Sequence, residues 1–197
     1  MGNAASQRKR ENTSFVPESA TVVTKKSHAS VTSRLSRKGT KKPSKKDNMD
    51  NADLVEEYWC NAFNRHDMKR ILKFCAPGCQ CWFTGGDKGM DMKDFCASLV
   101  LLFESFPDQS VSWDSIEEIK PGVVRVVNFT GRSTHIGKPF SFGPYPPIPA
   151  TGIKVENDPC HLIITMKKKK IAKFVIDAYH GGLVGPPAHY QKIGGKL

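Results

Sequence analysis

The chain has 197 residues and a formal net charge of +11, from 30 Lys and Arg against 19 Asp and Glu. That length suits one domain plus an appendage. No apolar run approaches the ~20 residues that a membrane-spanning helix needs, and no apolar stretch at the start resembles a signal-peptide core, which argues against secretion.

The charge is unevenly spread. Residues 1–50 hold twelve Lys and Arg against four Asp and Glu, so most of the basic excess sits in the first quarter. The chain begins Met-Gly-Asn-Ala-Ala-Ser, with Gly2 and Ser6 at the positions that N-myristoylation requires, and Arg8, Lys9 and Arg10 follow. One myristoyl chain binds a membrane only marginally, so a second signal is needed. Here it is electrostatic, since basic residues near an anionic leaflet contribute about 1 kcal/mol each and no cysteine occurs before Cys60. Residues 11–50 are polar and Ser/Thr/Lys-rich, with too little apolar surface to offset the entropy of ordering, so 1–50 reads as a disordered tail. Ser36 and Ser44 lie among its cations, where a phosphate would add roughly −1.5 to −2 charge and weaken attraction to an anionic surface. A nuclear-localisation or nucleic-acid patch and an organelle transit peptide are the rival readings. The Met-Gly start favours a cytoplasmic protein held peripherally on a membrane, with the nucleus or an organelle as the alternative and nucleic acid not expected as a partner.

The folded domain spans 51–197. Leu54, Val55, Tyr58, Trp59, Ala62 and Phe63 form a helical stripe over 53–64. Asp67 caps a second helix from Met68 to Phe74, stopped by Pro77 and Gly78. Gln80 to Phe83 reads as a strand. Asp91 caps a third helix that runs to about Phe103 and presents Phe95, Leu99 and Leu102. Strands are expected over Ser110–Ile119, Val123–Thr130, Ile153–Met166 and Ile171–Tyr179, with a four-lysine turn at Lys167–Lys170. Helices followed by an antiparallel meander give an α+β fold. The six cysteines read as reduced, buried hydrophobes. Cys75, Cys79 and Cys81 lack the paired spacing of a structural zinc site, so no metal or cofactor is expected.

Between two of these strands lies TGRSTHIGKPFSFGPYPPIPATG, residues 130–152, a long connection with five prolines of the kind that shapes a rim or mouth. Thr130-Gly131, His135-Ile136-Gly137, Pro139-Phe140, Gly143 and Pro149-Ala150-Thr151-Gly152 resemble a segment of the SnoaL-like polyketide cyclase family, within the nuclear-transport-factor-2-like superfamily. Ala62-Phe63-Asn64, Asp67 and Phe106-Pro107-Asp108 match in the same order, and Pro77 matches a turn in which Gly78 replaces the usual acid. The resemblance covers roughly residues 51–194. It implies a cone-shaped domain, a bent antiparallel sheet wrapped on three N-terminal helices with one end open, preceded here by the disordered tail, and a small-molecule ligand inside.

The family's cyclases use an acid/base Asp near the end of the last strand. Aligning Lys170-Ile171 and Gly182-Leu183-Val184 puts Tyr179 at that place, with Asp177 one pleat earlier on the same face. A carboxylate in a water-poor pocket has its pKa raised and serves as a base near neutral pH, and a buried tyrosine can donate to a developing enolate. Asp177, Tyr179 and His135 are therefore the candidate catalytic groups, with Trp82, Phe83 and Tyr58 as pocket walls. Alternation alone disagrees: Ala172, Phe174, Ile176 and Ala178 make the more apolar face of that strand, which puts Asp177 and Tyr179 outside. Both registers hold if a second subunit covers the outer face, hence an expected homodimer. Two functions follow: a membrane-tethered domain that binds a small, largely apolar molecule with cyclase- or isomerase-type acid/base chemistry, or a non-catalytic ligand-binding or dimerisation module localised by its tail.

Overall fold

The computed structural model describes residues 48–178 and 182–197. The tail readings, Gly2 included, and Tyr179 lie outside the described residues. The three expected helical segments form, two of them at the caps expected from sequence, Asp67 and Asp91, and the first at Asp50. Asp50 accepts a hydrogen bond from Asp53 N and opens α1, Asn51–Val55. A π-helical stretch, Glu56–Cys60, and α2, Asn61–Asn64, continue the same segment. Asp67 caps α3, Met68–Phe74, by accepting from Arg70 N at 2.9 Å. Asp91 caps α4, Met92–Ser105, by accepting from Lys93 N at 2.7 Å.

The strands are β1 (Cys75–Phe83), β2 (Met90–Asp91), β3 (Ser110–Ser112), β4 (Ser115–Lys120), β5 (Val123–Thr134), β6 (Lys154–Glu156), β7 (Cys160–Lys167) and β8 (Lys170–Ala178). They form one eight-stranded sheet, curved and unclosed, in the order β2-β1-β8-β7-β5-β3, with β4 and β6 also paired to β5. One pairing departs from the expected antiparallel sheet. β1 runs parallel to β8, because it leaves α3 at the end of the sheet where the Lys167–Lys170 turn starts β8. Lys168 and Lys169 both have positive φ there, the conformation of a tight two-residue hairpin turn.

β5 is the spine of the curve. Its first half pairs with β4 and β7, its second half with β3 and β6. The register slips between Val126 and Phe129, where Asn128 takes φ 52°, a left-handed conformation that Asn tolerates. That bulge explains why the expected strand 110–119 divides in two. It breaks at Trp113-Asp114, opposite the bend, and Asn128 donates to the Asp114 carboxylate at 2.6 Å. The expected strand 153–166 breaks at Asn157-Asp158-Pro159. The inner face, Val124, Val126, Leu162, Ile164, Phe174 and Ile176, packs on the helices, with Trp59 and Phe174 ring centroids 4.1 Å apart. All six cysteines are free and buried.

The proline-bearing connection is tied down at both ends. Gly137 N donates to Ser105 O and Lys138 N to Glu104 O, both at 2.9 Å, so the loop caps the end of α4. A Cβ at position 137 would lie 2.1 Å from Glu104 O, which only glycine avoids. Further on, Tyr190 of α5, Pro186–Lys192, donates its hydroxyl to Pro146 O at 2.9 Å. This last helix was not foreseen in the sequence. Gly185 at φ 68° turns the chain into it, and Pro186 opens it with a preset backbone angle.

Candidate functional site

The helices and the inner sheet face enclose a cavity of about 60 Å³. Trp59 and Phe63 come from the first helical segment, Phe95 and Leu99 from α4, and Phe174 and Ile176 from β8. The volume exceeds the ~10–15 Å³ that one water needs but falls below the ~150 Å³ of an apolar cavity known to take benzene. An apolar vestibule of about 410 Å³ adjoins it, with Phe83, Phe95, Ile176, Val184 and Pro186 common to both. Those five side chains make a common wall of the two spaces.

Besides Asp158, three polar side chains line the cavity. Gln109 follows the Phe106-Pro107-Asp108 turn, Asn157 follows β6, and His189 lies in α5. Gly131 leaves them room, since a Cβ there would stand 2.9 Å from Gln109 Nε2 and 3.3 Å from Asn157 Nδ2. Gln109 Nε2 donates to Ser110 O at 3.0 Å, which leaves its Oε1 as an acceptor 2.8 Å from His189 Nε2. His189 Nδ1 lies 2.9 Å from Gly185 O and 3.3 Å from Asn157 Nδ2. Two acceptors flank the ring and would welcome a cation. Burial opposes it more strongly, and with a smaller contribution from Lys192 it pushes the His189 pKa down to about 4, despite the Gly185 bond. The neutral ring has one proton for these two acceptors; with it on Nε2, the ring keeps its bond to Gln109 and Nδ1 accepts from Asn157 Nδ2 instead of donating to Gly185 O. Asn157 Oδ1 is then a buried acceptor without a partner among the described residues.

Residues 55–174 match the SnoaL-like domain. The chain belongs to the SnoaL-like domain family. AclR from Streptomyces galilaeus, provisionally a hydroxylase, is similar over 74% of this chain and 86% of its own, at 19% identity and a TM-score of 0.55. IdmH from Streptomyces antibioticus, provisionally a polyketide cyclase, is similar over 66% and 93%, at 18% identity and 0.52. TsrD from Streptomyces laurentii is similar over 74% and 96%, at 13% identity and 0.53. At these identities the likeness is one of fold. No curated protein matches the chain.

In this SnoaL-like domain the residues singled out from sequence do not converge. Phe83 lines both the cavity and the vestibule. Trp82, the next residue, points to the opposite sheet face, beneath Lys173 Nζ at 5.0 Å from its ring. Tyr58 lies away from the cavity, its ring 5.1 Å from Phe74 and 4.7 Å from the Arg70 guanidinium. His135 is fully buried but stands behind Phe106, with ring centroids 4.9 Å apart and Nδ1 3.2 Å from Thr151 Oγ1, and burial pushes its pKa down. Asp177 is on the outer face. The β7–β8 pairing continues in register from Leu162–Ile176 to Cys160–Ala178, so the period of two that buries Phe174 and Ile176 turns Asp177 outward, where Thr84 Oγ1 donates to it at 2.9 Å. The alternation read from sequence therefore describes this strand, and the register implied by the resemblance does not.

The polar end was missed. Gln109 directly follows the Phe106-Pro107-Asp108 motif and was the one residue within reach of the pattern. Asn157 and His189 carried no signal of their own, because the strand break and α5 that position them were not foreseen.

Proposed function

We propose that this domain binds a small, largely apolar molecule in its interior and orients it through a hydrogen-bond donor aimed at Asn157 Oδ1. The observation that carries the reading is that acceptor: an amide oxygen on a residue only 8% exposed, unpaired, at the polar end of an otherwise apolar cavity. An unpaired buried polar atom costs about 1–3 kcal/mol, which a ligand hydroxyl would recover. The provisional standing of IdmH as a polyketide cyclase agrees with such a ligand.

Binding is favoured over acid/base turnover. Both nitrogens of His189 are engaged, and a pKa of about 4 makes it a weak base at neutral pH. Asp158 is the one carboxylate on the cavity wall among the described residues, and it is half of an exposed ion pair with Lys192 at 3.3 Å.

Asp177 has a place in this reading as an interface residue. Trp82, Val175 and Ile163 lie side by side across the outer sheet face, followed by the Arg125–Glu117 ion pair at 3.0 Å. Lys173 and Asp177 sit two residues to either side of Val175. A homodimer whose twofold axis passes through Val175 would set Lys173 of each copy against Asp177 of the other. The acylated basic tail would hold that dimer on an anionic membrane.

The pocket is tested with phenol and toluene, which differ by the donor, in ligand-observed NMR titrations of the full chain. Phenol is expected to bind about tenfold tighter than toluene, and Asn157→Leu to erase the difference. Equal affinities in the wild type, no binding of either probe, or an unchanged preference in Asn157→Leu would overturn the reading.

A further inference from the structure

β1 and β8 are parallel, so both begin at one end of the sheet, Cys75 beside Ile171, and finish at the other, Phe83 beside Ile176. β8 has nine residues, a span of roughly 26 Å at ~3.3 Å per residue, and the nine residues of β1 cover less of that length because their register slips between Cys75 and Gln80. The finishing end holds the vestibule, with Thr84, Ala178 and Leu183 on its wall.

The starting end is basic. It carries the Lys167–Lys170 turn. Lys120 ends β4, next to the β4–β5 turn that is docked there by Met166 N donating to Gly122 O at 2.7 Å. Lys73 closes α3 just before Cys75. Lys73, Lys120, Lys167, Lys168 and Lys170 are exposed. Glu118 and Asp50 lie near them bound to neutral donors, keep their charge, and are outnumbered by these five lysines. Glu118 accepts from Gly122 N at 2.7 Å and from Asn51 Nδ2 at 3.0 Å, and Asp50 caps α1. Lys169 Nζ donates to Met49 O at 2.9 Å, so the chain coming from the basic tail enters the domain at this same end. Ile119, 46% exposed, is beside Lys120. An aliphatic side chain among lysines suits a lipid headgroup layer, whereas single-stranded nucleic acid is met with stacking aromatics.

We propose that this lysine-bearing end is the domain's membrane-facing surface, that it engages anionic headgroups together with the tail, and that the vestibule therefore opens away from the bilayer toward water. The proposal rests on the membrane-tether reading. The tail alone would hold the domain in any orientation. A second basic surface at the tail's root fixes one, because screening confines each lysine's contribution to within ~8 Å of the headgroups.

The test uses the unacylated full chain at low ionic strength, about 0.01 M, where screening is weak, and phosphatidylcholine vesicles with and without phosphatidylserine. Each surface lysine is worth about fivefold in partitioning, so Lys167→Gln with Lys168→Gln should weaken binding to the anionic vesicles about 30-fold. Arg8, Lys9 and Arg10 changed to Gln should weaken it independently. Because all six native cysteines are buried, a solvatochromic dye can be placed on Lys167→Cys or on Leu183→Cys. Anionic vesicles should shift the first dye to the blue and leave the second unchanged. If the tail variant loses binding while the turn variant binds as the wild type does, the oriented surface is refuted and the tether stands. A wild type that ignores anionic vesicles refutes both. A shift at Leu183→Cys alone would turn the vestibule to the bilayer and overturn the orientation. Loss of duplex-RNA retention in the turn variant, with vesicle binding unchanged, would reassign the lysines to nucleic acid.

Discussion

Protonating His189 should loosen the polar end of the cavity, and the size of the effect follows from its surroundings. The ring is 1% exposed, set against the Phe106 ring at 4.8 Å, with Gln109, Asn157 and Lys192 as its polar and charged neighbours. Its pKa falls from an ordinary 6.5 to about 4. The unfolded chain therefore takes up the proton first. The stability held by the neutral ring is intact above pH ~6.5 and is lost as the pH falls toward ~4. At ~1.4 kcal/mol per pKa unit, the full loss is about 3 kcal/mol. For a domain of this size that is a fall in melting temperature of roughly 6–12 °C. His135, also depressed by burial, adds to the slope in the same direction. Thermal melts of the wild type and His189→Gln between pH 7 and 4.5 measure the His189 share by difference. The variant should start less stable and lose less on acidification. Parallel pH profiles for the two proteins would refute the argument, since they would mean that the ring is already charged or already wet.

The remaining predictions concern the tail and the outer face. Gly2→Ala should move the protein from the membrane to the soluble fraction, because the basic residues alone are screened at physiological salt; equal membrane association of both forms would remove the acyl anchor. Asp177→Lys should convert the dimer to a monomer in light scattering, and adding Lys173→Asp should restore it. A wild type that is already monomeric, or a single variant that keeps the dimer mass, would discard the interface.

What could be read from the sequence was set by how local each cause is. Asp67 and Asp91 act on the next turn of chain, and both caps and helices lie where the pattern put them. The inward face of β8 was likewise readable, because alternation is a local property and Phe174 and Ile176 obey it. The resemblance supplied the family and the curved sheet. It misplaced Asp177 because it matched flanking motifs while the strand between them kept its own period. Trp82 and Phe83 were weighed together, and the pleat separates them: only Phe83 reaches the cavity. The polar end could not be read because its parts are 80 and 32 residues apart, in the pairs Gln109–His189 and Asn157–His189, and one of them rides on an unforeseen helix.

The stretch at 130–152 shapes the site through its glycines and a proline carbonyl, not through His135. Gly131 makes room for the Gln109 and Asn157 amides. Gly137 lets the loop close on the end of α4, and the Pro146 carbonyl holds Tyr190 next to His189. His135 and His189 then contact the same Phe106 ring, at 4.9 and 4.8 Å. Burial keeps both neutral, so Phe106 is wedged between two imidazoles that each resist a charge. The ring is fully buried and directly precedes the turn that carries Gln109. Loop and α5 thus meet on one aromatic side chain, beside the Gln109 amide that holds His189.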